Sequence, residues 1–233
     1  MSHIVARVPI HLNPAAELAR RVLLPGDPHR AHTVAQSLLA EPKMFNHRRG
    51  LWGYTGTARD GELLTIQSTG MGGPSAAIVC EELIELGART LIRIGTCGAL
   101  GSELALGDIV AVEAALARDG TSRALGAGER VGPDAELTAA TKIGLVIAAS
   151  VDVFYGAPDT SGADVVEMES ATVFQVARLR GARAACVLGV SDLVADGGRR
   201  RIDQEELERL GVQLGEVAYS ALERTTSAKG RGS

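Results

Sequence analysis

Two carboxylates stand one residue apart in the run Val166-Glu167-Met168-Glu169-Ser170-Ala171, and a third follows in Val190-Ser191-Asp192. Acids at that spacing cannot share one face of a helix, so each must find its own partner. Among apolar neighbours an ionised carboxylate is costly unless something binds it. Asp192 closes the apolar run 184–190, which reads as a buried strand. The C-terminal ends of such strands are where α/β folds gather functional groups. Taken singly, Glu167 would serve as well as a cap or ion-pair partner, Met168 as core, and Asp192 as a cap for the next segment.

Arginines supply the opposite charge. Arg93 interrupts the aliphatic run Leu91-Ile92-Arg93-Ile94 just before Gly95-Thr96-Cys97-Gly98, where a guanidinium needs a partner. Arg30 falls in the first turn of a predicted helix, where a cation opposes the helix dipole and a bound anion would reverse the penalty. Arg48 and Arg49 precede Gly50 and the strand-like Leu51-Trp52-Gly53-Tyr54-Thr55. Gly70-Met71-Gly72-Gly73-Pro74-Ser75 joins a strand to a helix, so its N–H groups and the helix end favour an anion. It has neither the spacing of a dinucleotide fingerprint nor the lysine of a Walker loop, and Pro74 and Ser75 also suit a plain helix start. Each arginine alone fits a surface or ion-pair role; their shared placement at element ends predicts a phosphate site. The histidines His3, His11, His29, His32 and His47 show no ligand spacing joined to Cys or Asp, so no metal is expected.

Strands, turns and helices must position these groups. Residues 22–24 lead through Pro25-Gly26-Asp27-Pro28 into a helix over 30–39, and residues 63–67 lead through the glycine loop into a helix over 76–86. Residues 91–94 lead into a turn at 95–98, residues 109–112 and 144–149 read as further strands, and 134–142 is a short helix-like stretch. Such alternation predicts an α/β layered fold in one domain over 1–224, with 225–233 a small polar tail that frays.

Composition narrows the classes. An apolar fraction of 45% and a charged fraction of 22% suit a globular protein with a sizeable core. A net charge of -4 argues against a general nucleic-acid surface, so any anion must be held by local arginines. Cys80, Cys97 and Cys186 are an odd set in apolar or glycine-rich settings and read as reduced thiols of a cytoplasmic protein. No apolar run has transmembrane length, so no membrane partner is expected.

Four motifs in order, Leu24-Pro25-Gly26-Asp27-Pro28-His29-Arg30-Ala31, Gly70 to Ser75, Arg93-Ile94-Gly95-Thr96-Cys97-Gly98 and Val166-Glu167-Met168-Glu169, resemble the hexameric bacterial-type purine nucleoside phosphorylases and their uridine phosphorylase relatives. The resemblance covers residues 10–222. It implies an α/β three-layer sandwich with a central mixed, partly barrel-like β-sheet flanked by helices. It implies phosphate at Gly26, Arg30, Arg93 and Thr96, with Arg49 (or its neighbour Arg48) reaching the phosphate of a neighbouring subunit. It further implies ribose contacts from His11, Met168 and Glu169, with His3 the rival to His11. Base contacts fall to Cys97, Phe154, Glu167 and Ser191, and Asp192 is the acid for the leaving purine. Inorganic phosphate is then a co-substrate, no cofactor is needed, and the assembly is a homohexamer, a trimer of dimers with active sites shared between subunits.

The same resemblance implies a phosphorolysis in which phosphate attacks the anomeric carbon while Glu169 and the anion stabilise charge on the sugar. Asp192 must then hold or share a proton for the base. Two stretches, 134–142 and 156–166, are short for the family, and 156–166 contains neither the Gln nor the Arg that uridine phosphorylases use for uracil. That favours purine over uridine. A helper arginine for Asp192 is expected among Arg199, Arg200 and Arg201. Hydrolysis by a nucleosidase of the same superfamily is a second reading, opposed by Arg30 and Arg93, and a non-catalytic nucleoside-binding protein is a third.

Overall fold

A computed structural model describes residues 9–195 and 198–229, which leaves His3 outside the described residues. The chain runs β1 (Arg21–Pro25), α1 (Pro28–Leu38), β2 (Ala40–Asn46), β3 (Gly53–Thr57), β4 (Leu63–Gln67), α2 (Gly73–Leu86), β5 (Thr90–Ala99), β6 (Ile109–Ala117) and α3 (Gly120–Ala124). It continues through β7 (Arg130–Val131), α4 (Ala135–Ala139), β8 (Gly144–Ser150), β9 (Val165–Glu167), α5 (Ser170–Arg180), β10 (Arg183–Ala195), β11 (Gly198–Arg201) and α6 (Gln204–Lys229). A 3-10 turn at Arg48–Gly50 joins β2 to β3.

All strands belong to one mixed sheet. Five of them close a ring, because β10 pairs with both β5 and β6, β8 bridges β6 and β9, and β9 returns to β5. Beyond β5 the sheet opens through β1, β4, β3 and β2, and β11 adds a hairpin to β10. One core cluster packs α2 and α5 residues such as Val79, Leu83, Val173 and Phe174 on one face. A second packs α1 and α6 residues such as Ala31, Val34, Leu214 and Tyr219 on the other. Helices on both faces of a partly closed sheet make the three-layer architecture. Strands covered on both faces are apolar throughout, as in Val22, Leu23 and Leu24 of β1, all fully buried.

Local signals set the helix ends near the site. The Asp27 side chain accepts from the His29 and Arg30 N–H groups, and Pro28 opens α1 with its φ already helical. Gly181 closes α5 in the left-handed conformation at φ 65, which glycine adopts without penalty.

Two sequence expectations change. Residues 95–98 do not turn but continue β5 to Ala99. Gly95 is required there by a close approach: a Cβ would stand 2.6 Å from Nη2 of Arg93, which folds back over it. Asp192 lies inside β10 instead of ending it, just past a bulge between Val190 and Asp192. Helix α6 runs on to Lys229, with Thr225 buried and its hydroxyl donating to the Ala221 and Leu222 carbonyls. The short stretch 134–142 forms only the five-residue α4.

Candidate active site

The C-terminal half of β5 gathers the chemistry-bearing motifs by register. Leu24 and Pro25 of β1 lie opposite Arg93 and Ile94, so Gly26 emerges beside Gly95. On the other edge Gly189 and Val190 of β10 pair with Thr96 and Cys97, and Asp192 reaches Gly98. Val166 of β9 pairs with Gly98 and delivers Glu167, Met168 and Glu169 to the same end. The loop after β4 joins them, since the Thr69 N–H donates to the Pro25 carbonyl at 2.8 Å and the Gly70 N–H to the Gly26 carbonyl at 3.0 Å.

Arg93 is the electrostatic centre. Its Nε donates to Glu167 Oε2 at 3.1 Å and its Nη2 stands 2.5 Å from Glu169 Oε2, with the Arg93 side chain 5% exposed. Burial would lower the guanidinium pKa, but Glu169 and Glu167 reverse that and hold it above its ordinary value. One cation thus faces two buried anions. Burial also pushes the Glu169 carboxyl above the usual range; Arg93 opposes that shift and Glu167 adds to it.

The two glutamates divide at this point. Glu167 is fully buried and saturated: the Ser150 hydroxyl, the Glu169 N–H at 2.8 Å and the Ser170 N–H at 2.9 and 3.0 Å all donate to it, besides Arg93. It therefore caps the start of α5 and anchors Arg93, with both oxygens engaged by protein donors. Glu169 also accepts from the Gly72 N–H at 2.5 Å, which ties it to the glycine loop at the start of α2. Met168 and Gly72, on either side of that contact, border an open cavity of about 610 Å³ whose other walls include Met71, Pro74, Thr121 and Asp152. Neither Arg30 nor Arg93 is part of its wall.

Arg30 projects from the first turn of α1 with its stem against α6, where Gly211 has no side chain to obstruct it. Burial lowers its pKa, Asp27 opposes this, and Arg93 adds to it. Among the described residues no carboxylate lies within ion-pair distance of Arg30, so a bound anion would relieve a half-buried cation. Thr96 is partly exposed on β5 near the same end. Cys97, the next residue of β5, is buried. Its thiol lies 3.7 Å from the Gly189 carbonyl, and its own carbonyl accepts from the Ser191 hydroxyl at 3.3 Å.

Asp192 is buried, and the Ser191 hydroxyl donates to its Oδ2 at 2.7 Å. Its Oδ1 has no hydrogen-bond partner within the described chain. Two guanidiniums approach that oxygen from β11, Arg199 and Arg201, each at 3.9 Å. Strand alternation explains the pair, because residues two apart share a face and Arg200 between them points away. Arg199 also lies over the Phe154 ring at 4.2 Å, which links the aromatic residue to the acid.

His11 and Arg49 are not brought to this cluster. The His11 ring is held by Glu82 on α2, and Arg49 is exposed in the 3-10 turn at φ 58. That left-handed conformation is unusual for a residue with a Cβ; Asn46 steadies the turn by donating to the Leu51 carbonyl at 2.6 Å. The glycine loop expected to offer N–H groups to an anion donates that of Gly72 to the Glu169 carboxylate, whereas Ser150 is a functional neighbour that the sequence did not reveal. A lone serine at a strand end carries no distinguishing pattern. Among the described residues no group of three or more His, Cys, Asp or Glu could hold a metal ion, and no helix is long and apolar enough to cross a membrane.

The sequence pattern of the phosphorylase superfamily matches residues 20–226. The chain is 36% identical to a protein of Geobacillus kaustophilus named purine nucleoside phosphorylase DeoD-type, over 82% of this chain and 88% of that protein. It is 33% identical to proteins of the same name from Alkaliphilus metalliredigens, over 84% and 92%, and from Clostridium novyi, over 89% and 96%.

Proposed function

The chain belongs to the phosphorylase superfamily, and on that premise we propose that it cleaves purine ribo- and deoxyribonucleosides with inorganic phosphate, releasing the free base and the pentose 1-phosphate. The observation that carries this reading is the convergence of Arg30, Arg93, Glu169 and Asp192 at one end of β5. Phosphate sits among Gly26, Arg30, Arg93 and Thr96, with the N-termini of α1 and α2 nearby. One phosphate oxygen forms a bond to the anomeric carbon as the carbon–nitrogen bond breaks. The bonding pair leaves with the base, and Asp192 gives or shares a proton at the base nitrogen N7. Glu169 accepts from the ribose hydroxyls, for which it must loosen its contact with Arg93, and Met168 packs on the sugar. Phe154 and Ser191 border the base.

His11 and Arg49, both outside the cluster of their own chain, serve the site of a neighbouring copy in a homohexamer built as a trimer of dimers. Phosphate is a co-substrate and the reaction needs no cofactor. The reading places the protein in the cytoplasm. A panel of inosine, guanosine, adenosine and uridine, each with and without phosphate, tests it. Purine cleavage that requires phosphate is expected. Cleavage without phosphate would mean a nucleosidase, cleavage of uridine alone a uridine phosphorylase, and binding without turnover a non-catalytic protein.

A further inference from the structure

Arginine occurs three times in succession on β11, and the register of the hairpin gives each a place. Arg201 pairs with Asp192 and Arg199 with Val194, so Arg199 lies diagonally across from the acid on the same face. A long side chain spans that diagonal, and the Arg199 guanidinium comes to rest over the Phe154 ring, 4.2 Å from its centre. Its Nε stays 3.9 Å from Asp192 Oδ1, outside hydrogen-bond distance. Attraction to the ring quadrupole occupies no acceptor atom, and among the described residues the N–H groups of Arg199 make no hydrogen bond.

Two unmet demands therefore face each other. Asp192 Oδ1 is a buried acceptor with no donor in the described chain, and Arg199 is a set of donors with no acceptor. They stand too far apart to satisfy one another and close enough for one planar ligand to serve both. Such a ligand presents a donor to Oδ1 and, beside it, an acceptor to the guanidinium. A 6-oxopurine that carries a proton at N7 has that pattern, with N7–H as donor and O6 as acceptor. A 6-aminopurine presents two donors on the same edge, which sets its amino N–H against the N–H groups of Arg199. Ser191 cannot take over this reading, because its single hydroxyl proton already serves Asp192 Oδ2 or the Cys97 carbonyl. Arg201 is the more exposed of the two arginines and, among the described residues, lies over no ring.

We propose that Arg199 reads the substituent at C6 of the base: it donates to O6 of a 6-oxopurine and disfavours a 6-amino group, so that inosine and guanosine are preferred to adenosine. The proposal rests on the phosphorolysis reading and names within it the class of purine and the residue that selects it. Phe154 takes part by holding the guanidinium beside Asp192.

Steady-state phosphorolysis of inosine and adenosine by wild type, Arg199→Met, Arg199→Gln and Arg201→Met tests it. Wild-type kcat/KM for inosine should exceed that for adenosine by at least about tenfold, the scale of one hydrogen bond to a charged donor. Both arginines act on every purine through Asp192, so the ratio of the two values is the readout. In Arg199→Met the ratio should fall about tenfold, and in Arg201→Met it should stay within about twofold of wild type. The amide of Arg199→Gln can turn to accept from the amino group, as glutamine does on adenine, and should move the ratio furthest toward adenosine. A wild-type ratio near one, the wild-type ratio kept in Arg199→Met, or an equal fall in Arg201→Met would overturn the proposal. Should Arg199→Met not fold, as judged by circular dichroism, an unchanged ratio in Arg199→Gln overturns it instead. Wild-type protein that cleaves no purine nucleoside in the presence of phosphate would overturn the parent reading with it.

Discussion

Arg93 and Glu169 stand 2.5 Å apart, and the same guanidinium holds Glu167 from its Nε at 3.1 Å. One positive charge therefore neutralises half of two buried negative ones, and a phosphate dianion beside them would deepen the deficit. Arg30, which has no carboxylate within ion-pair distance among the described residues, together with the helix ends must supply the balance. The two glutamates also differ in freedom. Glu167 is locked by four donor groups counting Arg93, whereas Glu169 is tied to one backbone N–H and one arginine and can exchange partners with sugar hydroxyls.

Replacing Glu169 by Gln should lower kcat/KM for inosine by about 10²–10³, the scale seen when one preorganised electrostatic contact is removed. Stability should move in the opposite sense with pH. The folded-state pKa of Glu169 is raised, so its contribution is fully present below the unfolded value of about 4.3 and is lost as pH rises through the folded value. Thermal unfolding at pH 5 and 7.5 should therefore show the variant gaining on wild type at the higher pH. A variant that loses ground as pH rises would contradict the buried-carboxylate account.

Glu167→Ala is expected to act on folding. Removing one partner of a buried pair leaves Arg93 undercompensated and strips the cap from α5, a loss of about 3–5 kcal/mol. Urea denaturation measures it. A normal midpoint together with altered base preference would return Glu167 to the wall of the base pocket.

Much of this site was legible as residue types and little of it as geometry. Arg93 announced itself by breaking an aliphatic strand, and Asp27, Pro28 and Arg30 marked a helix start that the structure has. Glu167 and Glu169 stood out as acids in apolar sequence, yet nothing in their spacing said which one would be saturated. That depended on Ser150, seventeen residues away and adjacent only through the pairing of β8 with β9. Residues 95–98 read as a turn because glycine-rich sequence is ambiguous; the reason for Gly95 is the folded-back Arg93 side chain, a tertiary fact. Strand β2, with most of its residues exposed, and helix α5, buried almost all round, lack the periodic contrast that sequence reading relies on.

The two arginines at Asp192 should be separable by kinetics. Asp192→Asn is expected to reduce kcat on inosine by about 10²–10⁴, the range for a positioned acid. Arg199 and Arg201 approach the same oxygen at the same distance, so each single Ala variant should retain part of the effect and the double variant should lose more than their sum. Arg199 also covers Phe154, so its removal should raise KM, whereas removal of Arg201 should act on kcat. Strictly additive losses with unchanged KM would show that neither arginine shares Asp192 with the other.

Acid stability should be governed away from the site, by Asp60 and Glu82. The Arg21 hydrogen bond, against the pull of burial, holds the Asp60 carboxyl below the ordinary value. Glu82 is pushed up by burial, but the Leu12, His11 and Ile10 donors outweigh that and hold it low as well. A depressed folded pKa means stability that is present above the unfolded values, about 3.9 for Asp and 4.3 for Glu, and that is lost as pH falls through the folded ones. Melting temperature should accordingly be flat from about pH 7 to 5 on account of these two groups and drop below about pH 4. Asp60→Asn should melt lower at neutral pH and approach wild type as the solution is acidified. If the gap between Asp60→Asn and wild type stays constant from pH 7 to pH 3, the Arg21–Asp60 pair contributes nothing to acid unfolding and the assignment fails.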